Sequence, residues 1–202
     1  MIKNDQLTFI LGDLSYWTKV EKIYIDAFPE EERQTCETIK NRIESNQIKL
    51  FVVNYNQTII GFALVWEISL LTTHYIEYLA IAKEYRSNGI GEFILSSIKQ
   101  NIGKEKLIVE MEDPAIDLTD IDKIRRFKFY QKNNFELIKN INYKMPALNS
   151  ENAAISMFLL CYSKEKKLFT KHFLTNFVEF LYLTVYQKEK NNFYLTIILK
   201  SL

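Results

Sequence analysis

Apolar positions recur at three- and four-residue spacing through Trp17, Val20, Tyr24 and Phe28, which predicts an amphipathic helix ended by Pro29, with Ser15 as its cap. A second helix is expected to start in Glu30-Glu31-Glu32 and to bury Ile39 and Ile43. A short strand, Leu7 to Ile10, precedes both. Alternating or continuous apolar runs then predict strands over Ile48 to Asn54, Thr58 to Ile68 and Thr73 to Ala82, the first two forming a hairpin about Tyr55-Asn56-Gln57. Ile90, Phe93, Ile94, Ser97 and Ile98 return to the helical period. A strand follows over Leu107 to Glu112, stopped by Asp113-Pro114. Ile121, Ile124, Phe127 and Tyr130 form another helical stripe, with Thr119 as the expected cap and Asp122 completing an approximate capping box. Phe135 to Tyr143 and Ile155 to Tyr162 read as two last strands. Beyond them, Leu168, Phe169, Phe173, Phe177, Leu181 and Val185 predict one amphipathic helix, and Phe193 to Leu199 a strand.

The pattern is a mixed α/β sheet domain over residues 1–162, followed by a helix-plus-strand appendage over 163–202. Forty residues could hardly bury a core of their own. The appendage's apolar stripe is therefore expected to pack on the domain or to form a homodimer contact.

Charge excludes more than it suggests. Twenty-six basic against 25 acidic residues leave a net charge of +1, and no dense basic run offers a nucleic acid a face. Lys164, Lys166 and Lys167 read as a solvated helix start. Cys36 and Cys161 match no metal spacing and suit a reducing, cytoplasmic setting. The first residues lack the apolar core of a signal peptide, and Phe173 to Val185, broken by Glu179, is too short to span a bilayer. A bias toward Lys, Asn, Ile, Tyr and Phe suggests an AT-rich genome. His74 and His172 stand alone, and no metal is expected.

The most informative segment is Arg86-Ser87-Asn88-Gly89-Ile90-Gly91, set between a strand and a helix. Two glycines let backbone N–H groups approach an anion, the helix start supplies free donors, and Arg86 adds a charge. A dinucleotide-binding loop would need a third glycine where Ile94 stands. A P-loop would need Lys-Ser/Thr where Glu92-Phe93 stand. As a motif of two glycines, the segment also suits a plain strand-to-helix turn.

The longer run from Leu79 to Gly91 resembles the central motif of the GNAT acetyltransferases, except that Lys83 replaces a customary Pro. Phe129-Tyr130-Gln131-Lys132-Asn133-Asn134-Phe135 is similar to the family's second signature, with Asn134 in a Gly position. The tail, and Ala27 to Arg33, resemble an uncharacterised bacterial branch with a C-terminal extension. The resemblance implies strands four and five parallel and splayed, and acetyl-CoA held by Leu79, Ile81 and residues 86 to 91. It also implies transfer of acetyl to a primary amine of a small molecule or peptide. Protein N-terminal acetylation and a non-catalytic acyl-CoA sensor are the alternatives.

An alkylammonium must lose a proton before it attacks a thioester. Glu77 is the first candidate base, because it interrupts an apolar strand and shares a face with Tyr75 and Leu79 by alternation. Glu110 and Glu112 lie on one side of the next strand and could relay a proton or hold a cation. Each of the three could equally be a structural acid. The resemblance makes Tyr130 the acid for the departing thiolate and the Leu79 N–H, beside an expected bulge in strand four, a donor to the carbonyl oxygen. Glu30-Glu31-Glu32 reads more simply as a helix start that complements its dipole.

Overall fold

The computed structural model describes residues 2–148, 154–165 and 169–202, apart from the side chain of Glu31. Lys166, Lys167 and Leu168 fall outside the described residues. In chain order the elements are β1 (Leu7–Gly12), α1 (Leu14–Ala27), α2 (Cys36–Glu44), β2 (Ile48–Tyr55), β3 (Thr58–Ile68), β4 (Thr73–Ile81), α3 (Ile90–Asn101) and β5 (Lys106–Glu112). Then come α4 (Ile121–Lys132), β6 (Glu136–Leu137), β7 (Lys144–Pro146), β8 (Ala154–Tyr162), α5 (Lys171–Phe180) and α6 (Phe193–Ser201).

The sheet runs β1-β2-β3-β4-β5-β8-β6, with β7 also on β8. All neighbours are antiparallel except β4 and β5. That one parallel pair is the mixed architecture read from the sequence. Its ladder covers only Thr73↔Lys106 to Ile76↔Val109. Beyond Ile76 and Val109 the two strands part.

Each face of the sheet carries its own core. On one side α1, α2, α5 and α6 bury Trp17, Tyr24, Ile39, Phe177, Leu181 and Leu195 against Phe62, Leu64 and Ile108. On the other, α3 and Tyr130 of α4 pack on Val53, Ile76, Val109 and Leu160. Residues from Leu174 onward belong to the first core, not to a separate one. Each fully buried Phe or Leu among them contributes ~1.5–3 kcal/mol.

Several local expectations change. Asp13, not Ser15, caps α1, and Asp120, not Thr119, caps α4, because in each case the carboxylate accepts from N–H groups of the first turn. Glu30–Glu32 form a single 3-10 turn, and α2 starts only after Thr35, whose hydroxyl accepts from the Thr38 N–H. The α4 stripe is shallow: Tyr130 is buried, whereas Ile121 is exposed. The strand expected over Phe135 to Tyr143 is split into β6 and β7. Both lean on β8, but the chain leaves the ladder between Ile138 and Tyr143, where Asn140 is left-handed at φ 66°.

Phe193 to Leu199 is helix rather than strand. Asn192 accepts from the N–H groups of Tyr194 and Leu195, and Leu195 and Ile198 are buried one turn apart. The capped 3.6-residue period outweighs the β-propensity of the residues. The preceding helix is interrupted too: α5 ends at Phe180 and Leu181–Val185 form a π turn.

Candidate active site

In β4 the pairing with β3 slips between Leu64↔Tyr78 and Val65↔Ile76, so Glu77 is the extra residue of a bulge. The bulge inverts the alternation beyond it. Tyr75, Tyr78 and Ala80 face the α1/α2 core, while Ile76, Leu79 and Ile81 face α3. Leu79 therefore does not share a face with Tyr75, as simple alternation implied. The bulge also sets the backbone. The Ala82 N–H donates to the Ile60 carbonyl, which makes Leu79 a non-hydrogen-bonded partner of Ala63. The Leu79 N–H therefore points away from β3, into the gap left by β5.

The turn after β4 is shaped from within. Arg86 Nε donates to the Ile81 carbonyl at 3.1 Å, and Asn88 Nδ2 to the carbonyls of Tyr85 and Arg86 at 3.2 and 3.1 Å. Ser87 and Gly89 are both left-handed, at φ 63° and 80°. A Cβ on Gly89 would meet nothing within 4 Å, whereas one on Gly91 would lie 3.0 Å from the Phe129 ring. Gly91 thus allows α3 to pack close to α4, and Gly89 allows the turn. Five of the six described α-helices have a side-chain N-cap, on Asp13, Thr35, Asp120, Thr170 and Asn192. α3 has none. Its first-turn N–H groups carry the positive end of a helix dipole with no side chain to satisfy them. A pyrophosphate fits that cradle.

A cleft of about 600 Å³ joins this loop to the splayed strands. Its walls include Glu77, Leu79, Ile81, Arg86, Ser87, Gly89, Ile90, Gly91, Glu110 and Tyr130. Asn88 and Glu112 are not among them. Asn88 faces its own turn, and Glu112 is paired with Lys123 at 2.9 Å and Arg126 at 3.9 Å. Tyr130 is buried, which pushes its hydroxyl up to about 12. The helix behind it ends as its sequence implied. Asn134 is left-handed at φ 61°, the Phe135 N–H bonds the Tyr130 carbonyl, and the Asn134 N–H bonds that of Gln131.

The two inward carboxylates differ sharply. Glu77 accepts from Arg42 Nη1 at 3.1 Å and from Trp66 Nε1 at 2.6 Å, and both charged side chains are only 3% exposed. Burial pushes the Glu77 carboxyl up and Arg42 opposes it. Among the described residues no cation pairs with Glu110. Its Oε1 accepts from Tyr75 and Tyr143, each at 3.0 Å, and its Oε2 from Tyr186 at 2.6 Å. Burial raises it to about 7 despite those three donors.

Several residues of the cleft and around Glu110 were not expected from the sequence. Arg125 and Arg126 line the cleft beside the loop. Arg126 lies one helical turn before Tyr130, a spacing that could have pointed to it. Arg42, Tyr143 and Tyr186 come from elements far apart in the chain, and nothing local to them could. Among the described residues no cluster of three or more His, Cys, Asp or Glu side chains could hold a metal, and no helix is long and apolar enough to cross a membrane.

The splayed parallel pair thus lies beside an uncapped, glycine-shaped helix start. Residues 17–120 match the acetyltransferase (GNAT) family, and the chain belongs to that family. It is 27% identical over 89 residues to YjbC of Bacillus subtilis strain 168, and the match spans 44% of each chain. A GNAT-family protein of Bacteroides thetaiotaomicron shares its fold with a TM-score of 0.77 at 20% identity, over 90% of this chain and 99% of that one. A GNAT-family acetyltransferase of Elizabethkingia anophelis, solved with acetyl-CoA bound, has a TM-score of 0.53 at 21% identity, over 79% and 99% of the two chains.

Proposed function

We propose that the chain transfers the acetyl group of acetyl-CoA to a primary amine of a small molecule or a peptide. The observation that carries this reading is a single cleft that holds both the uncapped start of α3 and a carboxylate poised near neutral pH. The N–H groups at the start of α3, with Arg86, Arg125 and Arg126, bind the pyrophosphate. The Leu79 N–H faces the carbonyl oxygen as charge builds there.

Glu110 is the base. A general base works best when its pKa lies near the working pH, and Glu110 meets that condition without a cation beside it. Glu77 is the poorer choice, because taking a proton would break its pair with Arg42. Tyr130 supplies a proton to the leaving sulfur. Glu112, tied to α4, holds that helix against β5.

The test has two parts. Gly89→Asp should abolish acetyl-CoA binding in calorimetry, since it would set a carboxylate at the anion cradle and strain a turn that needs the left-handed φ of 80° at that position. Unchanged affinity would remove the loop assignment. Thiol release from acetyl-CoA over a mixed amine panel should then show turnover. Binding without turnover on every amine would support an acyl-CoA sensor instead.

A further inference from the structure

Glu110, which lines the cleft, takes a hydrogen bond from the C-terminal tail that the transfer reaction as described does not need. The geometry points to Tyr186 as a positioning residue for the catalytic carboxylate: it fixes Glu110 and leaves one of its lone pairs for the acceptor. This rests on the reading of Glu110 as the base.

A carboxylate offers about four lone-pair sites. Tyr75 and Tyr143 occupy both on Oε1, and Tyr186 occupies one on Oε2. The remaining site lies on Oε2. Tyr75 and Tyr143 stand on or beside strands. Of the three donors among the described residues Tyr186 comes from the tail, and at 2.6 Å it makes the shortest bond, in the range of charge-assisted contacts. Its hydroxyl also lies 3.4 Å from those of Tyr75 and Tyr143, so the three rings form one hydroxyl cluster around the acid.

Tyr186 is held from the residue before it. The Val185 carbonyl accepts from Gln34 Nε2 at 2.8 Å and from Arg42 Nη2 at 2.5 Å. Gln34 belongs to the α1–α2 connection, whose backbone is itself tied to the Tyr78 hydroxyl at Glu32 and Gln34. The tail, that connection and the Arg42–Glu77 pair thus share one anchor. Behind it, Phe177, Leu181 and Val185 are fully buried.

The groups facing Glu110 are Tyr75 and Glu77 from β4, Tyr143 from just before β7, and Tyr182 and Tyr186 from the tail. Burial and the Glu77 charge favour the protonated acid, and the three hydroxyls that bond to Glu110 favour the carboxylate. Removing the Tyr186 hydroxyl should therefore raise the titration of Glu110.

The experiment titrates the full chain labelled with [5-13C]glutamate, with the Glu110 resonance assigned by its loss in Glu110→Gln. In Tyr186→Phe the midpoint should rise by about one to two pH units, the equivalent of one hydrogen bond to a charged group. The acidic limb of kcat/KM should move with it, and the KM for acetyl-CoA should not change. Tyr182→Phe, which removes a tail hydroxyl bonded to the Lys144 carbonyl, should leave both nearly unmoved. If Tyr186→Phe does not fold, 3-fluorotyrosine at position 186, a stronger donor, should lower the midpoint. An unmoved midpoint in either case overturns the role of Tyr186 and leaves the base assignment intact. A midpoint that moves while the rate profile stays fixed removes Glu110 from the reaction, and the catalytic meaning of Tyr186 with it.

Discussion

Glu77 and Glu110 face each other across the parting of β4 and β5, yet they sit in opposite electrostatic worlds. Glu77 is closed by a guanidinium and an indole N–H on the α2 side. Among the described residues Glu110 is met by three phenols and no cation. A counterion commits a buried carboxylate to its charge, because protonation would strand the cation. Neutral donors stabilise the charge without that commitment, so the same residue type can exchange a proton near neutrality. Position on the strand does not separate a structural acid from a reactive one. The partner does.

The largest expected effect separates the two in turnover. Glu110→Gln should lower kcat by roughly 10²- to 10⁴-fold, with the loss shrinking as pH rises and the amine deprotonates unaided. Acetyl-CoA affinity should hold. If Glu77→Gln instead gives the larger, pH-dependent loss, the two roles are exchanged.

In stability the order reverses. Arg42→Met leaves Glu77 buried without its cation and should cost ~3 kcal/mol or more in denaturant unfolding. Adding Glu77→Gln to that variant should recover much of the loss, which a double-mutant cycle reads directly. Additive losses would mean that the pair does not act as a unit.

A third prediction concerns pH. The Glu110 carboxyl titrates at about 7 in the fold and near ~4.3 in an unfolded chain. Between these values the folded state holds the extra proton, so its stability falls as pH rises through that window. Wild type should lose up to ~3 kcal/mol relative to Glu110→Gln between about pH 4 and 7, measured by chemical denaturation. A flat difference would place Glu110 among ordinary carboxylates.

The smallest effect belongs to Glu112. Its pairs with Lys123 and Arg126 are partly exposed, so Glu112→Gln should change stability by under ~1 kcal/mol and leave the kcat profile in place. A shifted acidic limb would bring Glu112 back as a proton relay.

The parts of the site legible in the sequence are those in which chemistry and backbone coincide over a few residues. Arg86 to Gly91 carries its own turn and helix start, and Asn134 its own left-handed stop. What escaped depends on one residue shifting many others. The extra residue at Glu77 turns Leu79 to the opposite face, and the break at Asn140 delivers Tyr143 to Glu110. No local pattern encodes either. The tail escaped for a different reason. Its apolar stripe declared a buried face, and nothing in that stripe could say that Tyr186 would arrive beside a residue 76 positions earlier.

The π turn at Leu181–Val185 gives that tail an asymmetric tolerance to change. A π turn is in effect one residue more than a regular helix would use. Deleting one residue from the π turn would let α5 run on as ordinary helix with little change of facing downstream, whereas deleting one from the regular turns of α5 would rotate everything downstream by about 100° about the axis. Tyr186 would then swing off Glu110, and the Val185 carbonyl off Arg42 and Gln34, although every side chain involved was still encoded. Conservative substitutions in the segment should be absorbed by the surrounding core. A change of length by one residue in the regular turns of α5 should not be.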